Sequence, residues 1–255
     1  MIPLDNKTFL VAGAAGLIGR TIVTTLLEAG AKVCALDINL DTLRTLEINP
    51  DHADRLMMHE LDITRREKVQ EAFAAVNARF GEIHGAVNAA YPRNKNYGRH
   101  FYDVEFSDFH ENAGLHLGAY FIFMQQCALY SETRQQRFSL VNLSSIYGVI
   151  APKFEIYEGT TMTMPVEYAA IKSGLQLMTS YASAYTGEYF RANCVSPGGI
   201  IAGQNPAFIE KYRENCLSKG VLDAQDVVGT IAFLLSDHSR YVVGQNIVVD
   251  DGFTL

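Results

Sequence analysis

The chain has 255 residues, 48% hydrophobic and 19% charged, which suits one soluble domain with a large core rather than a disordered chain. A formal net charge of -7 excludes a general nucleic-acid-binding surface. Four cysteines (Cys34, Cys127, Cys194, Cys216) lack C-x-x-C spacing, so buried thiols in a reducing cytoplasm are expected, not a disulfide framework.

The N-terminal MIPLDNKTFL has no apolar signal-peptide core, which again points to the cytoplasm. Residues 8–12 predict a buried strand. Ile18, Ile22, Val23, Leu26 and Leu27 form a helical stripe, and residues 32–37 predict a second strand. Between the first strand and this helix lie Gly13, Gly16 and Gly19. Glycines at such a corner let backbone approach a pyrophosphate, and the helix N-terminus favours its negative charge. Leu17 and Ile18, in the same turn, join the expected cofactor contacts. Asp37 closes the second strand, where a carboxylate accepts from ribose hydroxyls and repels a 2′-phosphate. No Lys or Arg stands between Gly13 and Gly19 or directly after Asp37, so NAD is expected over NADP.

Downstream, residues 56–61, 83–89, 138–143, 190–195 and 246–249 predict strands. Residues 65–80, 105–131, 167–186 and 224–235 predict helices. Seven strands alternating with helices imply a single-domain α/β fold, a doubly wound parallel seven-stranded sheet of Rossmann type. The longest stretch without Asp, Glu, Lys or Arg, residues 112–131, contains Asn112, His116, Gln125 and Gln126, so it is expected to be a buried helix, not a membrane span. The helices near 112–130 and 168–185 are apolar around much of their circumference, which suits either deep core or packing against a second subunit.

Tyr168 and Lys172, in YAAIK, are four apart and share a helix face. An ammonium about 6 Å from a phenol, at an effective dielectric of ~20, favours the phenolate by roughly 3 kcal/mol, or about two pKa units. That brings the phenol within reach of proton transfer near neutral pH. Ser144 and Ser145 follow the 138–143 strand, where a hydroxyl can hold the reacting oxygen. The seven His residues show no paired ligand spacing, so no metal site is expected.

With these pieces assembled, the chain resembles the short-chain dehydrogenase/reductase family over nearly its whole length. The resemblance rests on the Gly13/Gly16/Gly19 turn, Asp37, LDIT with Asp62, VNAA with Asn88, LSS, YAAIK and VSPGGI with Pro197 and Gly198. It implies Tyr168 as acid/base, Lys172 on the nicotinamide ribose and Ser145 on the substrate oxygen. It implies Asp62 and Ile63 beside the adenine, Asn88 and Ala89 by the cofactor ribose, and Pro197, Gly198 and Ile200 on the nicotinamide face. It also implies homodimers or homotetramers.

Three departures stand out. The glycines run GxxGxxG, whereas compact members carry GxxxGxG. The usual NNAG is NAAY, which puts Tyr91 in the fourth place, either reaching the substrate or repacking the turn. The helix Asn that holds a water beside the Lys aligns with His116; Asn112, one turn earlier, is the alternative.

Two segments are long and polar. Residues 91–103 carry Arg93, Lys95, Arg99 and His100 with Tyr91, Tyr97 and Tyr102. In an acidic chain this basic cluster is a candidate anion site, and aromatic faces stack on sugar rings. Residues 147–166, starting with Tyr147 beside the Ser, form an unusually long insertion before Tyr168. A third segment, 200–220, stands where a lid is expected, with Lys211, Arg213 and Lys219. Through AAYPRNKNYGRHF and SSIYGVIAPKFEIYEGTTMTMPVEYAAIKSG the chain is similar to the flagellin-modification oxidoreductases of bacterial surface-sugar biosynthesis. That narrower resemblance implies a sugar phosphate or nucleotide sugar, bound by Tyr91, Arg93, Lys95 and Tyr147. Two alternatives stay open: a sugar epimerase or dehydratase that oxidises transiently, and a non-catalytic NAD-binding protein.

Overall fold

The computed structural model describes residues 2–255. In chain order the elements are β1 (Thr8–Ala12), α1 (Leu17–Glu28), β2 (Lys32–Asp37), the short α2 (Leu40–Leu43), β3 (Leu56–Glu60), α3 (Arg66–Phe80) and β4 (Gly85–Asn88). There follow α4 (Phe106–Asn112), α5 (Ala119–Arg134), β5 (Phe138–Leu143), α6 (Val166–Thr186), β6 (Phe190–Pro197), α7 (Pro206–Arg213), α8 (Ala224–Leu235) and β7 (Asn246–Val249). The seven strands form one sheet in the order β3-β2-β1-β4-β5-β6-β7, and every pairing is parallel.

Strand side chains alternate between faces, so each buried strand feeds two cores. Phe9 and Val11 of β1 pack with Val23 and Leu26 of α1 and Ile231 and Leu234 of α8. Leu10 and Ala12 pack on the other face with Phe73 of α3 and Phe123 of α5. A third, smaller core joins the 147–166 segment to α7 and the C-terminus through Ile156, Tyr157, Phe208, Tyr212 and Phe253.

The helix expected over 105–131 is divided. Between α4 and α5, residues Ala113–Gly118 wind as a π-helix, a form that often marks functional positions. Hydrophobic periodicity could not show this, because the apolar character continues through the wider turn. The switch from strand order 2-1 to 1-4 lies between β1 and β4, whose C-terminal ends open the crevice where this architecture binds ligands.

Candidate active site

A cavity of about 780 Å³ lies at the carboxyl ends of the strands. Its floor at one end is the glycine turn. Gly13 has φ +77, and a Cβ there would meet the backbone of Ala89 and Ala90 at 2.6 Å. A Cβ on Gly19 would run into the Gly13 carbonyl. Both glycines are therefore required by close backbone approach. The first turn of α1 has no side-chain cap, and Gly16, Leu17, Ile18 and Gly19 line the cavity. Asp37 accepts from the Ala15 N–H at 3.0 Å and the Asn39 N–H at 3.1 Å, which fixes its carboxylate beside this turn. Arg20 is engaged by the Ala15 carbonyl and by Thr42 and Thr45.

Asp62 accepts from the backbone and hydroxyl of Thr64 just after β3, and Ile63 is buried there. Asn88 is buried at the end of β4. Its Oδ1 accepts from the Ala90 N–H at 3.2 Å, while its Nδ2 has no partner among the described residues. Pro197, at the end of β6, and Gly198 and Ile200 just past it line the cavity with Ala89. The Tyr212 hydroxyl accepts from the Gly199 N–H at 2.6 Å and pins that segment.

Ser145, Tyr168 and Lys172 share the same cavity. The Lys172 ammonium donates to the Leu143 carbonyl at 2.7 Å and lies 5.5 Å from the centre of the Tyr168 ring. The expected lowering of the Tyr168 pKa is not what this arrangement produces. Burial pushes the phenol up, against the pull of the Ser145 hydroxyl, and burial pushes Lys172 down to about 7. Desolvation penalises both charged forms and outweighs their pairwise attraction. The Tyr120 hydroxyl, on α5, lies 3.0 Å from the Ala90 carbonyl, 3.1 Å from that of Asn88 and 3.4 Å from that of Leu143, and its single hydrogen serves one of them at a time, beneath Lys172.

Of the cations in the 91–103 segment, only Arg93 lines the cavity. Its guanidinium lies 4.8 Å above the Tyr91 ring and has no hydrogen bond or ion pair among the described residues. Lys95 is exposed and does not line the cavity, and Arg99 pairs with Asp108 at 3.1 Å. The physical reason is that Asn94 and Asn96 both donate to Asp108 of α4, which pins the loop there and leaves Lys95 between them at the surface. In the lid segment, Lys211 donates to the carbonyls of Glu155 and Glu158, and Lys219 pairs with Asp223 and Asp226. These cations fasten the segment rather than facing the cavity.

Tyr91 lines the cavity and makes edge contacts with Tyr168 (5.7 Å), Tyr97 (5.7 Å) and His116 (5.0 Å). His116 is buried in the π-helix with no partner at either ring nitrogen among the described residues. Burial, with the Lys172 and Arg93 charges, pushes its pKa down to about 2, so the ring is neutral. Asn112, the alternative, is committed elsewhere: it accepts from the Asn94 N–H at 2.9 Å and donates to Glu167 at 3.3 Å. Sequence reasoning named Tyr97 only among the aromatics of the 91–103 segment and did not single out Tyr120, Tyr157, Glu167 or Tyr212. Tyr97, Tyr157 and Tyr212 do lie in the three segments read as substrate loops; Tyr120 and Glu167 carried no signal in the chain.

A family profile described as enoyl-(acyl carrier protein) reductase matches residues 13–254. The chain belongs to the short-chain dehydrogenase/reductase family. It is 39% identical over 99% of its length to the post-translational flagellin modification protein A of Campylobacter coli, all of which is covered. It is 32% identical to the 3-oxoacyl-(acyl-carrier-protein) reductase of Thermotoga maritima, with 99% of each chain covered. A short-chain dehydrogenase from Leptospira borgpetersenii, solved with bound NAD⁺, superposes with a TM-score of 0.87 at 29% identity. That match covers 99% of this chain and 94% of the other. The protein is thus an oxidoreductase of this family. No helix among the described residues is long and apolar enough to cross a membrane.

Proposed function

We propose that the protein is an NAD-dependent dehydrogenase that interconverts a secondary alcohol and a ketone on an anionic sugar, a sugar phosphate or nucleotide sugar. The residues present fit the dinucleotide. The first turn of α1 opens uncapped into the cavity through Gly16–Gly19, Asn88 carries an unpartnered buried amide, and Asp37 offers a carboxylate where a 2′-phosphate would stand. Arg20, the nearby cation, is already held by protein oxygens, which supports NAD over NADP.

Gly13, Gly16, Leu17, Ile18 and Gly19 would hold the pyrophosphate, Asp37 the adenosine ribose, and Asp62 and Ile63 the adenine surround. Asn88, Ala89, Pro197, Gly198 and Ile200 would bound the nicotinamide half. Bound NAD⁺ supplies the hydride acceptor and a positive ring charge that favours the phenolate. In alcohol oxidation Tyr168 removes the hydroxyl proton, and Ser145 donates to the same oxygen as charge builds on it. Lys172 holds the ribose side and passes the proton inward. His116, neutral and with both nitrogens free of protein partners, would hold the water that continues this path, in place of the family's Asn.

The substrate reading is carried by Arg93, an unpaired guanidinium in an aromatic wall of the catalytic cavity. The flagellin-modification relative supports a surface-sugar setting. The loops 91–103, 147–166 and 200–220 would make the substrate contacts. The exposed side chains Phe121, Leu177, Tyr181 and Tyr185 on α5 and α6 support a homo-oligomer built through these helices.

The test is NADH formation by purified protein with a panel of sugars, sugar phosphates and nucleotide sugars. Tyr168→Phe is expected to lower kcat by about a thousandfold or more. Arg93→Ala is expected to raise KM for phosphorylated substrates by about tenfold, with little change for neutral ones. Equal rates on neutral and phosphorylated sugars, indifferent to Arg93, would sink the anionic reading.

A further inference from the structure

Two pairs of phenols share the catalytic cavity. The Tyr91 hydroxyl donates to the Tyr97 oxygen at 2.8 Å, and the Tyr147 and Tyr157 oxygens are 2.9 Å apart. All four side chains line the cavity that holds Ser145 and Tyr168. The first pair comes from the loop after β4, the second from the loop after β5. Each stands beside one of the two groups that hold the reacting oxygen. The Tyr91 ring meets the Tyr168 ring edge-on at 5.7 Å, and the Tyr147 N–H donates to the Ser145 oxygen at 3.2 Å.

A phenol has one hydrogen, and a contact between two phenol oxygens uses one of the pair's two. Each pair therefore keeps one O–H and several lone pairs for a ligand. Burial raises the pKa of all four phenols, Tyr157 to about 12, so they stay neutral donors across the working pH range. The walls between them are apolar or aromatic: Met162, Met164, Phe208 and Tyr212. A hydroxyl group placed in such surroundings must find a partner or lose its hydration uncompensated.

We propose that Tyr91–Tyr97 and Tyr147–Tyr157 are two hydroxyl-reading pairs, and that the substrate is a polyhydroxylated ring with a hydroxyl on each carbon flanking the reacting one. Tyr97 and Tyr157 are the specificity-determining members, because Tyr91 also packs on Tyr168 and Tyr147 also packs beside Ser145. The inference rests on the sugar reading above but not on its anionic group. It also gives the long insertion before Tyr168 a task, since Tyr157 comes from it and is held in the small core with Phe208 (5.3 Å between ring centres).

The experiment uses NAD⁺-loaded wild type, Tyr97→Phe, Tyr157→Phe and the double variant. Substrates are glucose, mannose and galactose, their phosphates and UDP conjugates, the matching deoxy sugars, and cyclohexanol as an alcohol without neighbouring hydroxyls. Each single variant is expected to lose about tenfold more kcat/KM on the best hydroxylated substrate than on cyclohexanol. The double variant is expected to lose close to the product of the two, because the pairs stand on separate segments. Wild type is expected to lose a similar factor on the deoxy sugars, and the variant at the corresponding pair to lose little more.

Equal losses on sugars and cyclohexanol, or no loss on sugars, overturn the proposal; so does turnover of cyclohexanol with no hydroxylated ring accepted. Binding is read independently by the tyrosine absorbance difference spectrum of NADH-loaded protein titrated with the neutral sugars and their simple phosphates, where the constant NADH band cancels in the difference and the chain has no tryptophan band. No spectral change with any sugar of the panel also overturns it. If neutral and phosphorylated sugars behave alike and Arg93→Ala is silent, the anionic reading fails while the phenylalanine variants still decide this one.

Discussion

At the scale of single residues, His116 carries the sharpest prediction. It faces Tyr91, Tyr120, Lys172 and Arg93 and no carboxylate partner is seen on it. Its folded-state pKa, about 2, lies below the ordinary value of 6.5. As pH falls below 6.5 the unfolded chain takes up this proton and the folded chain does not. Stability from this group is therefore complete above pH 6.5 and is lost progressively on acidification, on the order of 1 kcal/mol per pH unit. Thermal melts at pH 7 and pH 5 should show a steeper drop for wild type than for His116→Asn. Parallel curves would mean that His116 takes up its proton as readily in the folded protein as in the unfolded chain. The Tyr168–Lys172 relation was legible in the sequence because one helix fixes both at four-residue spacing. The contact of Tyr91 with Tyr168 and His116 was not, because it depends on how a loop folds over another element.

At the scale of elements, the loop after β4 is fastened to α4 by Asp108. Its carboxylate accepts from Asn96 at 2.9 Å and Asn94 at 3.0 Å and pairs with Arg99 at 3.1 Å. Those hydrogen bonds, Asn96 first, hold its pKa below the usual carboxylate range. Asp108→Ala should free the loop that carries Arg93 and Tyr97. The expected result is a KM raised about three- to tenfold with kcat nearly kept, read by steady-state kinetics. A change in kcat alone would place Asp108 in the chemistry instead. Helix α8 begins with a reciprocal capping box between Asp223 and Asp226. Asp223→Ala should cost about 1 kcal/mol in urea unfolding and leave kinetics unchanged. The strands were readable from sequence because parallel, doubly covered strands are continuous apolar runs. The π-helix at 113–118 and the exposure of Lys95 were not. Both depend on backbone choices that leave the pattern of apolar residues unaltered.

At the scale of the whole molecule, the parallel order β3-β2-β1-β4-β5-β6-β7 brings the glycine turn, Ser145 and the Pro197–Ile200 wall to one edge of the sheet. Alternation of strands and helices made that architecture legible. For the apolar helices the sequence left deep core and a second subunit as equal alternatives. Leu177, Tyr181 and Tyr185 on α6 remain 75%, 68% and 81% exposed, too apolar a strip to leave in water by design. Leu177→Glu should shift light-scattering mass toward monomer; an unchanged mass would remove α6 from the interface. The substrate end of the molecule, meanwhile, is already fastened on both sides. Asp108 holds one loop, while Lys153 donates to the Phe253 carbonyl at 3.0 Å and Lys211 ties α7 to the insertion. The entropy of ordering these segments, about 1–2 kcal/mol per residue, is thus charged to folding and not to ligand capture. In calorimetric terms, binding of the proposed sugar should carry only the modest negative heat-capacity change of covering a preformed surface, without the large one that accompanies a segment folding around its ligand.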